Sequence, residues 1–408
     1  MKKRFYRGKG FFIFLGVVLL LGVLVGGVYY FRTPILINLF GKEAYPIAVV
    51  SGTWEEMGYQ LGSRIDFAKG MRRTASFMRR SFSPEKSKLY FDKAESLIPQ
   101  SILEQMRGLA RGLSDALDIS YDEAWKDVLL WNFFVPSTYM ESCTAFAVNS
   151  PEGAFIVHNT DLEYIYTLDG AVIIFKPDSG LGYPFVSFFS PGFVGVGLGE
   201  NLAGLAVVYN AAFPSERDYG LPPLMMVRKI MEECGSLEEA IQALHSFLKG
   251  GGRFAHNGAN LIFIDFKTGE MALIELAPDR VEVDRGLKRG NKRFVLATNH
   301  YRLMPERNQR DDYNTSSYAR IERAKMLLTI EDNFTVESIL KILSDHDGKE
   351  HGTDHTICRH KNLNVGTSSS HIFDDQFVLY YILGNPCRYW KNPSILQTVR
   401  WREILEQG

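Results

Sequence analysis

The sequence has almost no excess charge of either sign. Its 408 residues include 46 Lys and Arg against 47 Asp and Glu, which leaves a formal net charge of -1. Proteins that bind nucleic acid gather phosphate groups with a positive field. We therefore predict no nucleic-acid partner. Hydrophobic residues make up 46% of the chain, which also excludes the composition of a disordered protein.

Cysteine is scarce as well. The four cysteines are scattered along the chain at Cys143, Cys234, Cys358 and Cys387. Four are too few for a disulfide scaffold in a chain of this length, and at most two bridges can form. The sequence also lacks internal repeats, low-complexity tracts and proline-rich linkers. These absences favour one folded body after the N-terminal segment.

One long uncharged run is present, from Phe11 to Phe31. As a helix it is about 31 Å long, which matches the hydrocarbon core of a bilayer. Basic residues are concentrated at positions 1–10, so the N-terminus is predicted to stay in the cytoplasm and the residues after 32 to lie on the extracytoplasmic side of the membrane. A cleaved secretory signal is the alternative, but the run ends without a small-x-small cleavage site. We predict a single-pass anchor at 11–31 and a linker at 32–44.

Residues 45–408 are predicted to form one domain in two parts. In the first part, 45–142, apolar residues recur at helical spacing from Thr53 to about Leu130, and Thr53 with Glu56 forms a capping-box pair. In the second part, 143–408, short apolar runs with a two-residue period alternate with helical segments. This pattern predicts an α+β protein in which helices cover two packed sheets.

The predicted strands and helices of the second part are short. Hairpins are expected at 144–148 with 154–157 and at 260–264 with 271–275, and further strands at 171–175, 185–189, 205–209, 294–297 and 377–383. Helices are expected at 224–233, 237–248, 319–328 and 336–343. Three of these strands end in hydrogen-bonding side chains, at 158–161, 209–210 and 298–300. Strand ends commonly present catalytic groups, although Asn and Asp also terminate strands for purely structural reasons.

Several segments together resemble a known family. They are Gly52 to Gly58, Cys143 to Phe146, His158 to Asp161, Gly199 to Asn210, Ala297 to His300, Ser316 to Arg320, Thr356 to His360 and Leu383 to Cys387. In this order they resemble the N-terminal-nucleophile hydrolases of the acyl-coenzyme A:6-aminopenicillanic acid acyltransferase and choloylglycine hydrolase group. The resemblance runs from about residue 45 to 395.

This resemblance implies a four-layer αββα sandwich and a self-made nucleophile. The chain would cut itself between Ser142 and Cys143 into pieces of 142 and 266 residues. The new α-amine, with a pKa of about 7.7 to 8.0, would serve as the base for the Cys143 thiol. Asp161 would hold the amine and thiol. The Asn210 backbone N–H and the Asn299 side-chain amide would form the oxyanion hole, and Arg320 would orient the nucleophile.

The implied reaction is hydrolysis or acyl transfer at a linear amide bond, through a thioester on Cys143 and without a cofactor. Small molecules with an N-acyl group are the expected substrates, among them N-acyl amino acids, acyl-homoserine lactones, penicillins and fatty-acid amides. Two other hypotheses stay open. One is an unprocessed thiol hydrolase with His300 or His158 as its base. The other is an inactive, anchored binding domain of the same fold.

A stretch rich in possible metal ligands is interpreted differently. His346, Asp347, His351, Asp354, His355, Cys358 and His360 lie within fifteen residues. Their spacing matches no standard zinc pattern, and the glycines among them indicate turns. We predict no metal site here and interpret the stretch as a lid or rim beside the active site.

Overall fold

The computed structural model describes most of the chain after residue 43. The described residues are 44–80, 82–133, 142–164, 169–212, 214–215, 219–255, 258–308, 315–362 and 365–407. The predicted anchor at 11–31 and nearly all of the predicted linker lie outside them. Among the described residues, no helix is both long enough and apolar enough to cross a bilayer.

Helices form most of the chain between residues 54 and 133, as the spacing of apolar residues predicts. They are α1 (Trp54–Ser63), α2 (Ile65–Met78), α3 (Pro84–Ala94), α4 (Gln100–Leu117) and α5 (Tyr121–Phe133). The first begins with the predicted capping box, in which the Thr53 hydroxyl accepts from the Glu56 N–H and the Glu56 carboxylate accepts from the Thr53 N–H. The prediction of a helical N-terminal part is confirmed for these residues.

This part also contains a strand that the helical interpretation omits. β1 (Ile47–Gly52) pairs in parallel with β4 (Ala171–Pro177). Its side chains alternate between exposed and buried positions, which is the two-residue period of a strand. The strand is only six residues long and depends on pairing with residues more than a hundred positions away. The N-terminal part therefore supplies both a helical layer and one strand of a sheet.

Two sheets follow. The first contains β1, β4, β5 (Phe185–Phe189), β6 (Leu198–Asn201), β7 (Leu205–Ala212), β8 (Gly258–Asp265), β9 (Glu270–Ala277) and β10 (Arg280–Asp284), in that spatial order. The second contains, in spatial order, β11 (Leu287–Arg289), β12 (Lys292–Ala297), β2 (Ser142–Ser150), β3 (Gly153–Glu163), β13 (Val365–Asp374), β14 (Val378–Leu383) and β15 (Gln397–Arg400). The predicted hairpins correspond to β2 with β3 and β8 with β9.

The remaining helices are α6 (Pro223–Glu233), α7 (Leu237–Lys249), α8 (Thr315–Ile330), α9 (Val336–Leu343) and α10 (Trp401–Gln407). The four that the sequence predicts are present. Among the α-helices of the described residues after 142, α10 is the one without a counterpart in the prediction.

Three apolar cores show how these elements are layered. The first joins α1 to α7 to one face of the first sheet, the second lies between the two sheets, and the third joins the second sheet to α8 and α9. Neighbouring strand residues point to different cores: Ala145 faces the other sheet and Phe146 faces the helices. The predicted α+β class with two sheets covered by helices is confirmed.

Strand β13 is the main element that the sequence pattern does not indicate. It contains Thr367, Ser368, Ser369 and Ser370, all buried in the middle of the second sheet. Hydroxyl-bearing residues in a row give no apolar alternation, so the run was not predicted as a strand. Its hydroxyls make hydrogen bonds to β3, including one from Ser370 to the Asn159 side chain. This polar strand lies beside the candidate site.

Candidate active site

Four of the five predicted site residues lie in or next to the second sheet or the helix that covers it. Cys143 is the second residue of β2, Asp161 lies on β3, Asn299 lies two residues after β12, and Arg320 lies on α8. The fifth, Asn210, lies on β7 of the first sheet. All five are buried. The structure thus assembles them from both sheets and one helix.

Asn299 makes the most direct contact with Cys143. The backbone N–H of Cys143 donates to Asn299 Oδ1 at 2.7 Å. The Asn299 side-chain amide donates to the carbonyl of Ala211 at 2.9 Å. These two contacts fix which end of the amide faces Cys143, because the N–H requires an acceptor and the carbonyl requires a donor. Within the described part of the chain, the second hydrogen of the Asn299 NH₂ group has no acceptor, so it can bind another group.

Arg320 ties helix α8 to the start of β2. One terminal nitrogen donates to the carbonyl oxygen of Cys143 and, at 2.9 Å, to Thr144 Oγ1. The other donates to Asn299 Oδ1 at 2.9 Å. Burial lowers the pKa of Arg320 to about 10, and Asp161 acts in the opposite direction. The guanidinium therefore stays charged at neutral pH.

Asp161 supplies the opposite charge. It faces Ser142 across the β2–β3 ladder, and its Oδ1 accepts a hydrogen bond from Thr367 Oγ1 at 2.7 Å. Burial raises the pKa of Asp161 to about 6, whereas the charges of Arg320 and Arg359 and the Thr367 hydrogen bond lower it. Its Oδ2 is buried without a hydrogen-bond partner among the described residues. The carboxylate is therefore ionised at neutral pH and has an oxygen free for a further donor.

The Asn210 side chain is hydrogen-bonded to the segment that contains Asn299. Its side-chain amide donates to the carbonyl of Ala297 at 2.8 Å. Asn260 on β8 supports the same segment, because its amide donates to the carbonyls of Thr298 and His300 at 2.9 and 2.8 Å. Two asparagines of the first sheet thus hold the end of β12 in the second. The role of the Asn210 backbone N–H in an oxyanion hole stays a prediction.

Both histidines that were considered as alternative bases are hydrogen-bonded, and both have a lowered pKa. His158 uses both ring nitrogens, Nε2 with the carbonyl of Tyr209 at 2.9 Å and Nδ1 with Thr160 Oγ1 at 2.9 Å. His300 Nδ1 contacts Ser317 Oγ at 2.7 Å. Burial lowers the pKa of each histidine to about 4, and for His300 the charges of Arg320 and Arg302 act in the same direction. Both imidazoles are neutral and weakly basic at pH 7.

Two residues of this network were missed by the sequence reasoning. Thr367 binds Asp161, and Thr144 binds Arg320. Thr144 directly follows Cys143, and this adjacency is the sequence signal that could have indicated it. Thr367 lies more than two hundred residues from Asp161, and its only sequence signal is the run of hydroxyl residues in β13.

The His-rich stretch is not arranged as expected. His346, Cys358 and His360 converge with Cys387, which follows β14, and their ligand atoms all lie within 4.8 Å of one another. The other two histidines of the stretch, His351 and His355, are exposed. The spacing argument failed because the fourth member is 27 residues beyond His360. The four side chains form a packed cluster, and the interpretation of the stretch as a lid or rim stays a prediction.

The Thr367 hydroxyl gives a test of the Asp161 environment. We expect Thr367→Val to lower the free energy of unfolding at pH 8, where Asp161 is ionised, by about 1.5–3 kcal/mol for the lost bond to a charged group. At pH 5, below the Asp161 pKa, the carboxyl is protonated and this part of the loss shrinks to about 0.5–1.5 kcal/mol. The Arg359 N–H also loses its acceptor, Thr367 Oγ1, and that loss is the same at both pH values. Urea unfolding at both pH values measures the difference. Thr398→Val, at an exposed position of β15, is the matched control; equal losses at both pH values would contradict this assignment.

Comparison with known proteins gives one curated relative. An uncharacterized protein of Archaeoglobus fulgidus is 24% identical over 266 residues, which are 55% of this chain and 42% of that protein. This chain thus spans less than half the length of that relative.

Solved structures are also similar. They include a Caenorhabditis elegans N-acylethanolamine-hydrolyzing acid amidase ortholog, 18% identical with a TM-score of 0.40, over 57% of this chain and 93% of that one. A Clostridium perfringens conjugated bile acid hydrolase is 12% identical with a TM-score of 0.41, over 65% and 93%. An Agrobacterium tumefaciens penicillin V acylase is 15% identical with a TM-score of 0.39, over 59% and 83%. TM-scores of this size are too low to assign a function or a family to this chain.

A family model gives the assignment. The model described as acyl-coenzyme A:6-aminopenicillanic acid acyl-transferase matches residues 148–386. The match includes Asp161, Asn210, Asn299 and Arg320, and it begins five residues after Cys143. It covers more than half of the chain, which therefore belongs to the acyl-coenzyme A:6-aminopenicillanic acid acyl-transferase family.

Proposed function

We propose that this protein is a self-processing cysteine hydrolase or acyltransferase of the N-terminal-nucleophile type, acting on linear N-acyl amide bonds through a thioester on Cys143. The observation that carries the proposal is the contact of the Cys143 backbone nitrogen with Asn299 Oδ1 at 2.7 Å. A side-chain acceptor in this position can orient the α-amine that forms when the preceding bond is cut.

The proposed processing step needs no outside reagent other than water. The Cys143 thiol attacks the carbonyl carbon of Ser142, and the acyl group moves from nitrogen to sulfur as the peptide bond breaks. Water then hydrolyses the thioester, which leaves a carboxylate on Ser142 and an α-amine on Cys143. Arg320, bound to the Cys143 carbonyl oxygen, holds this residue in place while the bond in front of it rearranges.

In the proposed catalytic cycle the new amine is the base. An α-amino group has a pKa of about 7.7 to 8.0, so roughly a tenth to a sixth of it is unprotonated at pH 7 and about half or more at pH 8. It takes the thiol proton as the sulfur attacks the substrate carbonyl, and later gives the proton to the leaving amine. Asn299 Oδ1 and the free oxygen of Asp161 are acceptors for the amine hydrogens.

The tetrahedral intermediate needs donors for its oxyanion. The unused hydrogen of the Asn299 NH₂ group is one candidate, because its other hydrogen binds the Ala211 carbonyl. A single donor of this kind typically lowers the barrier by about 2.7–4 kcal/mol. The Asn210 backbone N–H is proposed as the second donor. Water or an amine then takes the acyl group from sulfur.

The thioester can be trapped. Purified protein is mixed with a panel of N-acyl amino acids, acyl-homoserine lactones, penicillins and fatty-acid amides, quenched in acid, digested and mapped by mass spectrometry. We expect the acyl mass on the peptide that contains Cys143, and none in Cys143→Ala. Cys234→Ser removes another buried cysteine and is expected to keep the adduct. A folded protein that acquires no acyl group from any substrate would favour the inactive binding domain.

The pH dependence of kcat/KM tests the role of Arg320. We expect kcat/KM to fall towards acid in two steps, first as the α-amine is protonated and then as Asp161 is protonated near its pKa of about 6. Arg320→Met removes a charge that lowers this pKa, so the second step should move to higher pH. Arg320→Lys keeps the charge and the step, but one ammonium cannot reproduce the four hydrogen bonds that the planar guanidinium makes to Cys143, Thr144, Asn299 and Ser316, and kcat should fall about 10²-fold.

Arg323→Met is the control for this experiment. Arg323 lies one turn along α8 and pairs with Asp345 and Asp347. We expect its pH profile to match that of the unchanged protein. If the second step stays in place in Arg320→Met, then Asp161 is not the titrating group.

We further propose that residues 11–31 anchor the catalytic domain to the outer side of the membrane. The uncharged run and the preceding basic residues support this. We expect the full chain in the membrane fraction of expressing cells, resistant to extraction by high salt, and a chain that begins at residue 33 in the soluble fraction. A full chain that high salt releases would contradict the anchor.

A further inference from the structure

Four potential metal ligands from three segments meet outside the catalytic site. His346 lies just after α9, Cys358 and His360 lie in the loop before β13, and Cys387 lies after β14. One ligand atom from each lies within 4.8 Å of all the others. Two thiols and two imidazoles are a donor set that zinc prefers.

The measured distances match a tetrahedral zinc centre. Zinc binds sulfur at about 2.3 Å and nitrogen at about 2.0–2.1 Å, so a tetrahedron separates a sulfur from a nitrogen by about 3.6 Å. His360 Nε2 lies 3.4 Å from Cys358 Sγ and 3.6 Å from Cys387 Sγ. These two sulfur–nitrogen pairs therefore already have the required spacing, and the remaining pairs lie within 4.8 Å.

The surroundings of the histidines support the same interpretation. His346 Nδ1 contacts the carbonyl oxygen of Glu350 at 3.3 Å, whereas its Nε2 is buried with no hydrogen-bond partner among the described residues. A backbone carbonyl on one nitrogen and a free second nitrogen is the usual state of a metal-binding histidine. Gly352 makes room for both rings: a Cβ there would lie 2.3 Å from His360 Cδ2 and 3.0 Å from His346 Cδ2.

We propose that His346, Cys358, His360 and Cys387 bind one structural Zn²⁺ ion. The two thiols would give up their protons to solvent and bind as thiolates, and both histidines would bind as neutral imidazoles. Four protein ligands fill the tetrahedral coordination shell. No position is left for water or substrate, so this ion is structural and takes no part in the acyl transfer.

The position of the cluster explains what such an ion would stabilise. Arg359, between two of the ligands, donates its N–H to Thr367 Oγ1 at 2.8 Å, and its carbonyl accepts from the Asn385 amide at 3.0 Å. Thr367 in turn binds Asp161. The ion would link the loop that contains Arg359 to the loop that contains Asn385. Because Arg359 binds Thr367 and Thr367 binds Asp161, this link would stabilise the surroundings of Asp161 without direct contact with the catalytic groups.

Metal analysis of the full-length protein tests the proposal. The protein is purified without chelators or immobilised-metal columns, and zinc is measured by mass spectrometry. We expect about one zinc per chain, as for a single four-ligand site, with loss of zinc in Cys387→Ser and His360→Ala. His351→Ala and Cys234→Ser are matched controls that should keep the metal. A zinc-free protein, or zinc that persists in both ligand variants, would overturn the site.

Two further measurements use the unaltered ligands, so they do not depend on the folding of the variants. Replacement of zinc by cobalt should give the visible absorption of tetrahedral thiolate-bound cobalt, and alkylation of Cys358 and Cys387 should be slow until a chelator is added. A disulfide between these two cysteines in freshly purified protein would overturn the proposal. Cys143→Ala should bind zinc normally, which separates this test from that of the proposed function.

Discussion

The buried positive charge of Arg320 is the constraint on which the arrangement around Cys143 depends. A charged group without water is tolerated only when acceptors and an opposite charge surround it. The acceptors are the Cys143 carbonyl, Thr144 and Asn299, and the opposite charge is Asp161. These groups come from three separate segments, which are β2, β3 and the residues after β12. Placing one guanidinium correctly therefore requires that β2, β3, the end of β12 and α8 all be correctly packed.

The layered fold holds these elements in place because the two faces of a strand pack into different apolar cores. In β2, alternate side chains such as Ala145 and Phe146 point into different apolar cores. The start of the strand, where Cys143 lies, is thereby held from both sides. Asn210 and Asn260 then cross from the first sheet to fix the segment that carries Asn299. The rigidity of the site derives from the packing of the two sheets.

Short sequence patterns correctly predicted the elements whose formation depends on residues close together in the chain. The two hairpins, the capping box at Thr53 and the helices of the second half follow from apolar periodicity and capping residues within about ten positions. Cys143, Asp161, Asn299 and Arg320 came from the family resemblance. Apolar periodicity did not predict β13, because its buried residues are serines that pair with distant parts of the chain. The spacing of possible ligands did not predict the cluster of His346, Cys358 and His360, because its fourth member, Cys387, lies in a different segment. Neither a polar core strand nor a ligand set spread over three segments has a local signature.

The central claim concerns the nitrogen atom of Cys143, which must become a free amine. N-terminal sequencing of the larger fragment of active protein tests it most directly. The account predicts that the fragment begins Cys-Thr-Ala-Phe, with the cut directly after Ser142, and that Cys143→Ala leaves the chain in one piece. Active protein in which Ser142 and Cys143 remain joined would contradict the account.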